Sequence, residues 1–232
     1  MNKENIKHLS IETLEREQGA FMSKVYGWMV GGLLVTAAAA YYTETSGLFL
    51  SIVNSSFFYI IILAEFGLVL ALSGWIEKMS VQTAAISFIT YSLLNGLTLA
   101  VILVRFTDES IYMTFSITAV MFGALSMYGY ATKKSLSGFG SFLFMGLAGV
   151  VIASFLQIFF YNSALSFAIN IIGILVFAGL TAYDTQRIKE MFFDTAGEKT
   201  LATKAAIIGA LMLYLDFINL FLFLLRLFGR RD

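Results

Sequence analysis

Residues 205–225 read AAIIGALMLYLDFINLFLFLL, twenty-one residues with one carboxylate among them. A helix of about 20 apolar residues crosses the hydrocarbon core of a bilayer, so this stretch is long enough to span. Asp216 is the twelfth of the 21. An acid at the centre of a lone membrane helix costs about 2.5–3.5 kcal/mol on insertion scales. Positions 212, 213, 219 and 220, one helical turn away, hold Met, Leu, Asn and Leu, so no cation on its own helix balances it. Asp216 must find a partner on another helix or stay protonated, and Asn219 adds a polar spot on the same face.

The rest of the chain has the same character. Of its 232 residues, 59% are hydrophobic and 13% charged. Soluble domains carry about 45–50% apolar and about 25% charged residues, and a soluble chain could not bury this excess. Net charge is zero, which leaves no basic face for nucleic acid. Cysteine is absent, so there is no disulfide, thiolate or Cys-based metal chemistry. The single histidine, His8, lies in a polar N-terminal segment and reads as a solvated surface residue.

Seven stretches are long enough to span: 22–42, 54–75, 81–104, 111–131, 139–161, 164–187 and 204–227. Strand alternation is missing, which argues against a β-barrel. The expected fold is therefore all-α, a seven-transmembrane-helix bundle: a membrane domain over 21–232 behind a polar tail over 1–20. The small residues Ala37–Ala40 suggest a signal-peptide cleavage site, but the preceding segment is long and holds Glu4, Glu12, Glu15 and Glu17, unlike a short basic leader. Eleven Lys and Arg fall on the N-terminal side and in the even-numbered loops, against one, Arg105, in the odd-numbered loops. That asymmetry places the N-terminus in the cytoplasm. Arg226, Arg230 and Arg231 resist the pattern, because they follow a span that should end outside. Either the tail lies outside despite its charge or the last segment stops short; its length favours crossing.

Three acids lie inside spans: Glu65, Asp184 and Asp216. Intramembrane acids are functional suspects by default. Lys24, Lys78, Arg105, Arg187 and Arg226 lie nearer span ends and read as snorkelling side chains. Asp184 has Arg187 three residues on, so a local ion pair is the plain alternative to function. Glu65 has no cation within a turn. Ser87, Tyr91, Asn95 and Thr98 recur at helical spacing and form a polar stripe expected to face the bundle. Other Ser and Thr within spans are expected to bond their own helix. Two carboxylates that approach closely titrate as one unit, and the same oxygens suit a hard cation such as Ca²⁺. Asp216 lies about 17–20 Å into its helix at ~1.5 Å per residue, whereas Asp184 sits near a span end. The two meet only if the sixth span extends inward, and Ile188, Met191, Phe192 and Phe193 offer an apolar pattern for that extension.

TAYDTQRIK (181–189), LYLDFINLFLFLLRLFG (213–229) and NGLTLA (95–100) resemble the signature segments of the Bax inhibitor-one family, also called the transmembrane Bax-inhibitor-motif or lifeguard family, with its bacterial YccA-like branch. The resemblance runs along essentially the whole chain. It implies a seven-helix bundle with the last helix at its centre, in a bacterial inner membrane. It implies a pH-sensitive calcium leak channel in which Asp184 and Asp216 share a hydrogen bond as sensor, gate and calcium-contacting pair. A basic residue after the second span would act as the latch, and Lys78 in GWIEKMS is the best-placed match, although lysine lacks arginine's bidentate fork. Glu65 matches a second-span glutamate; with Tyr91, Asn95 and Asn219 it is a candidate for the cation path. Calcium is expected as cargo, with no cofactor. Other family members regulate a membrane protease or cell-death factors, which makes such a partner the rival reading.

Enzyme readings fare worse. The YD pair resembles one motif of intramembrane aspartyl proteases, but Asp216 sits in LYLD without the glycines of the second motif. No HExxH motif or nucleophile–base pair appears, and the seventh span has no central lysine for a retinal Schiff base. The expectation is a protein that is not an enzyme.

Overall fold

A computed structural model describes residues 11–195 and 197–231. Lys3, Glu4, Lys7 and His8 lie outside the described residues. Eight α-helices follow in order: α1 Ile11–Thr45, α2 Leu48–Val53, α3 Phe57–Trp75, α4 Val81–Leu103, α5 Asp108–Ala131, α6 Ser137–Phe159, α7 Ser163–Thr195 and α8 Lys199–Phe228. A 3₁₀ turn, Ile76–Lys78, follows α3. All but the six-residue α2 are long and apolar enough to cross a membrane, which makes seven spans. The all-α, seven-span expectation therefore holds.

The differences lie at helix ends. α1 starts within the tail that sequence assigned to 1–20, because Gln18, Phe21 and Met22 are buried and Gln18 Nε2 donates to Lys189 O at 3.3 Å. α7 runs to Thr195, past the expected end at 187. Ile188 and Phe192 are buried on that extension, as the apolar pattern suggested. Gly47 (φ 72°) and Gly197 (φ 99°) take the left-handed conformation in the turns after α1 and α7, where a side chain would be strained. Ser80 and Thr107 cap α4 and α5 by accepting from Thr83 N and Ser110 N.

The chain divides into two compact units: residues 1–105 with 188–214, and residues 106–187 with 215–232. In the first, α1 and α4 pack closely. A Cβ on Gly32 would meet Phe88 Cζ at 2.7 Å, and one on Gly96 would meet Ala39 Cβ at 2.6 Å, so only glycine permits this approach. Phe88 stands edge-on to Tyr214, ring centroids 5.9 Å apart. In the second unit, Leu143 and Val150 of α6, Val176, Phe177 and Leu180 of α7, and Leu220, Phe223 and Leu224 of α8 share one core. In α8 72% of the most apolar window is buried, against 11–44% in the other spans, so α8 is the span least available to lipid. Leu63 and Phe66 of α3 and Phe155 of α6 are exposed, as lipid-facing side chains should be.

The chain end is fastened within the second unit. Thr107 N donates to Arg230 O at 3.1 Å, Arg230 N donates to Ser110 Oγ at 3.0 Å, and Phe106 bridges Arg231 in antiparallel fashion. The end of α8 therefore lies beside the start of α5, and at 30 residues the last helix is long enough to cross. Removing one pin should loosen this end: Ser110→Ala is expected to speed hydrogen exchange at the Arg230 amide about fivefold, for a bond worth ~1 kcal/mol. Unchanged exchange would show that Ser110 does not hold the tail.

Candidate functional site

α7 and α8 carry the two deepest aspartates, both in the second unit. Asp184 is the 22nd of the 33 residues of α7, and Asp216 the 18th of the 30 of α8. Their relative exposures are 7% and 3%. The two carboxyls are close enough for the charge of Asp184 to act on Asp216. Asp184 Oδ1 and Asp216 Oδ2 are buried with no hydrogen-bond partner among the described residues. A buried polar atom left unpaired costs about 1–3 kcal/mol, more if charged, so such atoms call for an explanation. Arg187 is exposed; it acts on Asp184 only through its charge and forms no ion pair with it. Arg187 and Asp216 thus both reach Asp184 through charge, with no ion pair or hydrogen bond to either among the described residues.

The helices around Asp184 are held tightly. A Cβ on Gly129 of α5 would collide with the carbonyl oxygen of Ala182, its carbon only 2.9 Å away. A Cβ on Gly140 of α6 would meet the Tyr183 ring at 2.7 Å. Ser126 and Thr185 hydroxyls lie 2.9 Å apart across α5 and α7. Thus Tyr183 of the YD pair packs outward against α6 while Asp184 turns inward. Gln186 grips the loop before α6 like a peptide group: its Oε1 accepts from Leu136 N at 2.7 Å and its Nε2 donates to Lys134 O at 3.0 Å. Sequence reading missed Gln186, since a glutamine near a helix end looks solvated.

The other predicted residues sort by unit. Asn219 is in the second, but its Nδ2 donates to Leu215 O on its own helix at 2.8 Å. Lys78 is exposed in the first unit, without hydrogen bond or ion pair among the described residues. The contact at its turn is made instead by Lys204 Nζ, which donates to Glu77 O at 2.8 Å. Glu65, Asn95 and Tyr91 come together in the first unit. Glu65 Oε1 accepts from Thr98 Oγ1 at 2.9 Å and Oε2 from Asn95 Nδ2 at 3.4 Å. Tyr91 is buried, its ring centroid 5.7 Å from that of Tyr214. The polar stripe of α4 therefore faces inward, as expected. Tyr214 and Thr36, also in this cluster, went unnoticed in the sequence because each looks like ordinary span filling.

Among the described residues, no group of three or more His, Asp or Glu converges. A resident Ca²⁺ takes about 6–8 oxygen ligands, more than two carboxyls supply.

Seven apolar helices with acids buried between them define an integral, multi-pass membrane protein. The chain belongs to the family described as inhibitor of apoptosis-promoting Bax1, whose pattern matches residues 18–232. It is similar to the inner membrane protein YbhL of Escherichia coli, 49% identical over 91% of this chain and 92% of that one. An uncharacterized protein of Borreliella burgdorferi is 46% identical over the same shares.

Proposed function

We propose that the protein is a pH-sensitive cation leak channel of a bacterial inner membrane, chiefly passing Ca²⁺, with its N-terminus in the cytoplasm. The observation that carries this reading is the pair Asp184–Asp216: two buried carboxyls within reach of each other's charge, each with an unpartnered oxygen. In this reading a proton held between the carboxyls gives both orphan oxygens a partner and ties α7 to α8. Adding a second proton ends the sharing, and removing the first leaves two like charges together. Each step changes what holds the helices, so proton concentration can set the open fraction. Calcium is cargo here: carboxylate oxygens offer a hard cation brief ligation along its path. Glu65 and Asn95 are the further candidates along that path. The residues call for no catalytic step and no cofactor.

The test is calcium flux into proteoliposomes on either side of neutral pH. Acidification is expected to raise flux several-fold, and Asp216→Asn to remove most of that difference. Equal flux and equal pH dependence in Asp216→Asn would overturn the reading.

A second reading is regulation of a membrane protease or a stress or cell-death factor; the family description, inhibitor of apoptosis-promoting Bax1, speaks only to the last of these. Because α1 begins at Ile11, deletion of residues 2–10 spares it. A regulatory tail predicts that this deletion abolishes partner binding in membranes and leaves ion flux intact.

A further inference from the structure

Four side chains in the first unit form a chain of contacts across four helices. Glu65 of α3 meets Asn95 of α4 at 3.4 Å, and Asn95 meets the Tyr214 hydroxyl of α8 at 2.9 Å. Tyr214 meets the Thr36 hydroxyl of α1 at 2.6 Å, and Thr36 Oγ1 meets the backbone oxygens of Ser92 at 2.8 Å and Gly32 at 3.0 Å, two acceptors that its single hydrogen serves as one forked link. Thr36 and Tyr214 are buried, at 3% and 0% exposure.

Each link needs one hydrogen. Tyr214 and Thr36 carry one each, and the amide of Asn95 serves one link through its nitrogen and accepts in another through its oxygen. With Glu65 ionised, Asn95 Nδ2 must donate to Glu65. Three hydrogens then serve four links, and one oxygen–oxygen contact of 2.6–2.9 Å is left bare. Two oxygens that close with no hydrogen between them repel, and more strongly in a low-dielectric interior. The shortage disappears with a hydrogen on Glu65. In the structure Asn95 Nδ2 faces Glu65 and Asn95 Oδ1 accepts from Tyr214; with the amide turned over, the carboxyl donates to Asn95 Oδ1, the amide to Tyr214, Tyr214 to Thr36, and Thr36 to Ser92 O. Thr98 still donates to the free carboxyl oxygen, Glu65 Oε1.

We propose that Glu65 is a proton-binding site, occupied at rest, and that loss of its proton turns over the hydrogen-bond chain through Asn95 and Tyr214 to Thr36. The ionisable groups facing it are Tyr91 on α4 and Tyr214 on α8. α1 presents only Thr36, and no lysine or arginine among the described residues pairs with Glu65. A lone charge there would have neither counter-ion nor full solvation. The proton is the ligand, and the site is separate from the aspartate pair, so it stands whether or not ions flow.

The test is infrared spectroscopy of the whole protein in proteoliposomes with glutamate carboxyls isotopically labelled. A protonated-carboxyl stretch is expected at neutral pH, lost in Glu65→Gln and retained in Asp184→Asn/Asp216→Asn. Thr36→Val and Tyr214→Phe should each shift it, Thr36→Val acting from the far end of the chain. Glu65→Gln should keep its melting temperature, because its amide donates to Asn95 and accepts from Thr98 as the protonated acid does. Absence of the band at neutral pH would overturn the site. A band that neither Thr36→Val nor Tyr214→Phe moves would overturn the chain.

Discussion

Gly129→Ala is expected to destabilise the folded protein by about 3 kcal/mol. Helix propensity alone predicts the opposite sign, since alanine is favoured over glycine within a helix by about 1 kcal/mol. Steric conflict wins because the obstacle is backbone. The added Cβ would run into the carbonyl of Ala182, with its carbon at 2.9 Å and its Cα at 3.0 Å. A flexible side chain could move aside; a carbonyl in the middle of α7 can yield only if the two helices separate. Gly123, on the same helix, has nothing within 4 Å of such a Cβ, so Gly123→Ala is the matched control. Thermal unfolding in detergent should show a drop of several degrees for Gly129→Ala, and no loss for Gly123→Ala. Equal melting of the two would mean that α5 and α7 do not approach this closely. Ala182 stands two residues before Asp184, so on the proposed function the surviving Gly129→Ala protein should also show a blunted pH response of flux.

Gln186→Leu is expected to cost about 2 kcal/mol and to free the loop before α6. Leucine matches the volume roughly, so what is lost is polar: the bonds to Leu136 N and Lys134 O. The Leu136 amide is left without a partner, and orphaned groups of this kind cost about 1–3 kcal/mol each. Partial exposure of the loop keeps the figure below the sum of two full penalties. Hydrogen exchange at Leu136 should accelerate about thirtyfold, the equivalent of 2 kcal/mol. Gln186→Glu keeps the acceptor and should hold the Leu136 amide while releasing Lys134 O. Exchange unaltered in both variants would remove Gln186 as a clamp.

What could be read without coordinates was whatever depends on one helix at a time. Seven spans emerged from length and apolarity, and the inward face of α4 from the spacing of Tyr91, Asn95 and Thr98. The extension of α7 was legible because Ile188 and Phe192 recur at helical spacing, and their burial accounts for the added turns. Partners on other helices were not legible. Thr36 was hidden by a rule that usually holds: hydroxyls in spans bond the carbonyl one turn back. Thr43, Thr118, Thr181 and Thr185 all do so. Thr36 has that option too, with Gly32 O at 3.0 Å, and reaches beyond it because α4 brings Ser92 O and α8 brings Tyr214 alongside. Asn219 erred the other way. Its position one turn from Asp216 suggested a shared site, yet its amide is spent on its own helix. The basic tail looked anomalous because charge asymmetry is a statistical guide to loops. It carries no information about the three backbone and side-chain pins that fix where this tail ends.

Ribosomes deliver helices in order, and α8, the most enclosed span, is delivered last of the seven. Until it arrives, Asp184 has no second carboxyl and Asn95 has no tyrosine hydroxyl to take up its amide oxygen. The first six spans must therefore wait in the bilayer with their most polar surfaces unmatched. Assembly is in this sense a late event, and a chain halted before α8 would be a natural target for membrane quality control.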